Sequence, residues 1–139
     1  MTSETPPTTS TPTPTPNIGA PPRLLRVHAT PDGESHLQDL TVSADAGVLP
    51  LAGLTARSYT PSQVSWHVAP QRQFAINLTG ELEVEVSDGA RRRLGPGDLV
   101  FLEDTYGKGH VTRLLEPVTC LFIQVAKDFD VEAWTRGAV

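Results

Sequence analysis

The chain lacks most of the features that would narrow its function at once. It has one cysteine, Cys120, in 139 residues, so no disulfide can form within it. No stretch approaches the about 18 consecutive apolar residues that a membrane-spanning helix needs. Basic residues are outnumbered, with 11 Lys and Arg against 16 Asp and Glu and a net charge of −5. That balance leaves no basic face for phosphates and excludes nucleic acid and anionic membrane as natural partners. The single basic run, Arg91-Arg92-Arg93, reads as a solvated strand end. The opening residues Met1-Thr2-Ser3-Glu4 lack the basic and apolar regions of a secretory signal, and a cytoplasmic location is expected. Cys120 sits in the apolar run Val118–Val125, where a small buried thiol is expected rather than a nucleophile.

What is present divides into two materials. Residues 1–22 are rich in Thr, Ser and Pro, with Thr-Pro repeated from Thr11 to Pro16. Proline fixes φ and removes a backbone donor, and this segment has too few apolar residues to form a core. A disordered or polyproline-II-like tail is expected there, followed by one domain over 23–139.

From Leu24 onward the punctuation is that of a β protein. Strands are expected over Leu24–His28, Leu37–Val42, Leu54–Thr60, Val64–Ala69, Gln73–Thr79, Glu81–Val86, Arg91–Leu94, Leu99–Leu102, His110–Leu115 and Thr119–Ala126. Glu81 to Val86 alternates acid and apolar, the pattern of a strand with one solvated face. Ser87-Asp88-Gly89 supplies the hairpin turn that follows. Asp128–Arg136 is the one expected helix, with Asp128 or Asp130 as its cap. Short strands in this number, with one terminal helix, make an all-β sandwich or barrel.

One stretch is unusual for such a core. Trp66-His67-Val68-Ala69-Pro70-Gln71-Arg72-Gln73 carries a histidine, two amides and a guanidinium where a sheet is expected. Successive strand side chains alternate faces, so an inward His67 brings Ala69, Gln71, Gln73, Ala75 and Asn77 with it. A polar interior is costly unless its groups are hydrogen-bonded, which implies a solvated pocket and a small-molecule ligand. Arg57, Tyr59, Thr112, Phe122 and Gln124 are further inward candidates. Phe74, Ile76 and Leu78 fall on the opposite face, which calls for a second layer or a partner subunit; a homodimer is expected. Arg72, out of phase with His67, is expected to brace an interface or pair with an acid.

The stretch from Trp66 to His110 resembles the cupin superfamily, whose members are small double-stranded β-helix (jelly-roll) barrels. Its usual first motif has two histidines one residue apart, a Glu four residues later and a Gly seven beyond that. Here His67, Ala69, Gln73 and Gly80 stand at those places, so the spacing is kept while the second His and the Glu are replaced. Gly97-Asp98 opens the second motif and His110 closes it, through a loop longer than usual that contains Glu103-Asp104-Thr105-Tyr106-Gly107-Lys108-Gly109. The combination is similar to a group of small single-domain bacterial cupins with a degenerate first metal motif. The resemblance implies a jelly-roll barrel over roughly Leu54–Ala126, with a pocket inside it.

Two chemistries are open to such a pocket. The family's ligand positions offer His67, Gln73 and His110, and Asp104 or Glu103 from the longer loop could supply a carboxylate for Fe, Mn, Ni or Zn. Without metal, His67 and His110 could act as general acid and base, since histidine titrates nearest neutral pH. Arg57 would then hold an anionic or enolate oxygen and Gln73 and Asn77 would orient a carbonyl, with Tyr59, Gln71 and Phe122 touching the substrate. A metal-dependent oxygenase or isomerase, a metal-free isomerase or cyclase, and a non-catalytic ligand-binding or regulatory protein all fit these residues.

Overall fold

Leu24–Val27 and Leu99–Leu102 are short, nearly unbroken apolar runs, the signature of strands buried on both faces, whereas Glu81–Val86 alternates. The computed structural model, which describes residues 17 and 19–137, realises both patterns. The Thr/Pro-rich tail expected over 1–22 lies largely outside the described residues. Ten strands and one helix follow: β1 (Arg23–Ala29), β2 (Ser35–Thr41), β3 (Gly53–Tyr59), β4 (Ser62–His67), β5 (Gln73–Thr79), β6 (Leu82–Val86), β7 (Arg91–Leu94), β8 (Leu99–Leu102), β9 (His110–Leu114), β10 (Val118–Gln124) and α1 (Val131–Thr135). They form a six-stranded sheet, in the order β2-β1-β8-β5-β10-β3, and a four-stranded sheet, β4-β9-β6-β7. All pairs are antiparallel except β1 with β8. This is the all-β jelly-roll barrel. Among the described residues no helix is long and apolar enough to cross a membrane.

The six-stranded sheet is covered twice. On its inner face Leu25, Val27 and Val100 meet Val84, Val86 and Leu94 of the four-stranded sheet. On its outer face Leu24, Phe74 and Phe101 pack with Val131, and with Phe129 and Trp134 around them. Phe74 lies 4.7 Å from Phe101 and 5.7 Å from both Phe129 and Trp134 by ring centroid, within the range of favourable aromatic pairing. The layer over Phe74 therefore comes from the chain's own C-terminal segment, not from a partner subunit. Arg72 fastens that segment down. Its guanidinium donates to Glu103 Oε2 from Nε (3.1 Å) and Nη2 (2.9 Å), and to the carbonyls of Lys127 (3.1 Å) and Phe129 (2.5 Å). It also lies 5.4 Å above the Phe101 ring.

The helix is shorter than the sequence suggests. Asp130 is its N-cap, with φ −110° and a side chain accepting from Ala133 N at 3.1 Å, so Asp128 and Phe129 precede it as a turn. The four-stranded sheet keeps one face in solvent, where Glu83 and Glu85 pair with Arg91 and Arg113. Arg93 pairs with Glu81 and Arg92 with Asp39, so the basic run is neutralised locally.

Phe101 is fully buried at the centre of the outer core. Phe101→Ala is expected to cost about 3–5 kcal/mol by removing aromatic area and leaving a cavity. Urea unfolding monitored by circular dichroism measures this directly.

Candidate functional site

Between the two sheets lies a cavity of about 500 Å³. Alternation along β5 places Gln73, Ala75 and Asn77 in its wall, and the preceding segment adds His67, Ala69 and Gln71. Arg57 and Tyr59 of β3, Thr112 of β9, and Phe122 and Gln124 of β10 also line it. The sequence-derived inward set is thus brought together around one space. β4 needs a correction to simple alternation, because its register against β9 shifts between Val64 and His67. That bulge lets Val64 and His67 both face the cavity while Trp66 faces out, 49% exposed.

The two histidines form the core of the site. His67 and His110 are direct cross-strand partners on β4 and β9, with ring centroids 4.4 Å apart and planes tilted by 58°. His110 Nδ1 meets Asp104 Oδ2 at 2.5 Å, and both residues are buried. A carboxylate accepts, so Nδ1 carries the proton and Nε2 presents its lone pair to the cavity. His67 Nδ1 likewise donates to the Ser65 carbonyl at 2.8 Å. Among the described residues neither Nε2 has a hydrogen-bond partner.

The backbone that carries His110 is tightly held. Gly109 has φ +72°, and a Cβ there would fall 2.1 Å from the His67 carbonyl oxygen. Only glycine allows that approach, which sets the two imidazoles side by side. Ser35 Oγ donates to the Gly109 carbonyl at 2.6 Å, and Lys108 N donates to the Gly33 carbonyl at 2.8 Å. Lys108 itself pairs with Glu34 rather than facing a ligand. Ala69 N donates to the Asp104 carbonyl at 3.1 Å, tying the loop to the strand segment that bears His67.

On the opposite wall, Gln124 Nε2 donates to Gln73 Oε1 at 2.8 Å and reaches Thr55 Oγ1 at 3.4 Å. Asn77 Nδ2 donates to the Gly80 carbonyl at 2.7 Å. Cys120 also lines the cavity, directly between Arg57 on β3 and Asn77 on β5. It is buried, as the sequence suggests, but its place in the cavity wall was not anticipated. The signal was there: Cys120 shares its parity with Phe122 and Gln124. Burial pushes the Cys120 thiol above its usual value. Burial also raises the Tyr59 hydroxyl; Cys120 adds to that effect and Arg57 opposes it.

Residues 56–116 match the family described as the EutQ-like cupin domain. Over those residues the chain carries a cupin-type domain. Solved structures similar to this cupin include a conserved protein of unknown function from Streptococcus pyogenes, 20% identical over 55% of the chain and 66% of that protein, with a TM-score of 0.44. A cupin domain from Bordetella pertussis Tohama I is 14% identical over 79% of this chain and 99% of its own, at 0.39. An RmlC-like cupin from Shewanella frigidimarina NCIMB 400 is 16% identical over 73% and 85%, at 0.40. The chain thus spans just under two thirds of the Streptococcus protein. No curated protein matches it.

Cupins commonly hold a metal, but the donors of this cavity are few. Ala69 supplies no ligand, and the Gln73 amide oxygen is engaged by Gln124. Asp104 is turned to His110 Nδ1 and is not part of the cavity wall, so it does not stand beside the histidines as a third donor. Glu103, just past the end of β8, is bound to Arg26 and Arg72 and is not part of the cavity wall. Among the described residues no group of three His, Cys, Asp or Glu is placed to hold a metal ion. Two imidazoles remain, short of the three protein ligands a catalytic metal centre uses. The set does not fit.

Gly109→Ala tests how the histidines are held. A Cβ at that φ and that distance is expected to cost about 1–3 kcal/mol and to displace the His67 and His110 ring resonances. Urea unfolding and imidazole NMR spectra measure the two effects.

Proposed function

We propose that this cupin binds a small polar or aromatic metabolite in its cavity and moves protons on it with His67 and His110, without a metal. The observation that carries this is the pair of imidazoles 4.4 Å apart, one anchored to a buried carboxylate. With its proton fixed on Nδ1 by Asp104, His110 offers Nε2 as a general base. The proton that His110 Nε2 takes up then returns to a neighbouring atom of the same ligand, either from His110 itself or after passing to the unprotonated Nε2 of the adjacent His67. Removing a proton at one carbon and delivering one at another is an isomerisation; the same pair would serve a cyclisation or dehydration. Asp104 acts through His110 and is a positioning residue.

Exchange of deuterium from solvent into a panel of enolisable keto acids and diketones, followed by proton NMR, tests this. His110→Ala is expected to slow exchange about 100-fold or more, and Asp104→Asn to slow it while shifting its pH profile. Prior treatment with a strong chelator should leave the wild-type rate unchanged. Exchange that survives both His67→Ala and His110→Ala would sink the proposal. Ligand binding without exchange would then favour a non-catalytic binding or regulatory cupin, a reading in keeping with the replaced motif positions Ala69 and Gln73.

A cytoplasmic homodimer belongs to the same proposal. β3 and β4 are edge strands of their sheets and carry exposed apolar side chains, Leu54 at 57% and Trp66 at 49%. Such edges invite pairing with a second copy. Sedimentation is expected to give a dimer for the wild type and a monomer for the Leu54→Lys, Trp66→Lys double variant.

A further inference from the structure

On the six-stranded side of the cavity, Gln124 Nε2 is shared between Gln73 Oε1 and Thr55 Oγ1, and the Asn77 amide donates to the Gly80 carbonyl while its buried Oδ1 has no partner. Arg57 differs. Its guanidinium has five N–H donors, and its one hydrogen bond among the described residues is to the adjacent Ala56 carbonyl, at 3.0 Å. It is an exposed residue on the edge strand β3, so it stands at the cavity mouth. Among the described residues the cavity lining contains no Asp or Glu, and Arg57 is its one side chain of fixed charge. Deeper in, the lining turns apolar, with Val84, Leu94 and Val100 shared with the hydrophobic core between the sheets.

From this we infer that the cavity takes a small monocarboxylate with an apolar aliphatic or aryl body, held carboxylate-outward by Arg57. A planar guanidinium with free donors matches a carboxylate in shape and charge. Placing that charge at the mouth keeps it near water, while the body reaches the apolar part of the lining around Val84, Leu94 and Val100. A cationic ligand would meet Arg57 with like charge and find no acid in the lining. Cys120, which faces Arg57 across the β3–β10 ladder, would lie beside the bound headgroup. The inference rests on the cavity being a small-molecule site, but not on the histidines moving protons.

Calorimetric titration at low ionic strength with three matched probes tests it: 4-phenylbutyrate, 4-phenylbutyramide and 4-phenylbutylamine. The carboxylate is expected to bind roughly tenfold or more tightly than the neutral amide, with the amine weakest. Arg57→Gln should abolish the advantage of the carboxylate, and Arg57→Lys should keep part of it. Iodoacetamide provides a second readout, because Cys120 is the sole thiol of the chain. Bound 4-phenylbutyrate should slow its alkylation in the wild type and fail to do so at the same concentration in Arg57→Gln. Equal or tighter binding of the amide, a carboxylate preference that persists in Arg57→Gln, or no binding of any probe at millimolar concentration would overturn the inference. A carboxylate preference with His110-independent proton exchange would leave it standing and remove the proton-transfer proposal. The converse result would do the opposite.

Discussion

The structure depends on covering both faces of its six-stranded sheet. A sheet whose strands read Leu24-Leu25-Arg26-Val27 and Leu99-Val100-Phe101-Leu102 has no face to give to water. One side is answered by the second sheet, which creates the barrel and its cavity. The other is answered by the chain's last described segment, which brings Phe129, Val131 and Trp134 over Phe74 and Phe101. Arg72 joins the two solutions: it lies in the segment between His67 and β5, yet its guanidinium holds the C-terminal carbonyls and the Glu103 carboxylate. The cavity wall and the outer core therefore share a single brace.

Much of this was legible in the sequence, for a physical reason. Strand alternation is a local property, so the inward placement of Gln73, Ala75 and Asn77 follows from one inward neighbour, and the same holds for Phe122 and Gln124. Turn chemistry is local too, and the ten strands fall close to where Gly, Pro and Asp punctuate the chain. The bulge in β4 was not legible, because it arises from the register with β9 and not from the residues of β4 alone. The fate of the outer face was ambiguous for a related reason: a second layer and a partner subunit leave the same apolar pattern on β5.

The site shows the same division. The spacing of His67, Gln73 and Gly80 points to a cupin strand, and His110 completes the pair. What those residues do is decided by contacts between distant parts of the chain. Asp104, a candidate metal ligand by proximity in sequence, orients the histidine instead. Ala69, the apparent vacancy in the motif, is where the backbone of the Asp104 loop is tied down. Gln73, where the family usually has Glu, is neutral and committed to Gln124. A motif read position by position describes losses, whereas the folded site shows which partners the remaining groups have taken.

The mouth of the cavity is bordered by β3 and β4. β3 and β4 follow one another in the chain, yet they end up at the edges of different sheets, and no ladder joins them. The barrel is therefore a shell with a seam that no backbone ladder spans. Widening it there would separate no strand pair and would leave every ladder of the two sheets in place.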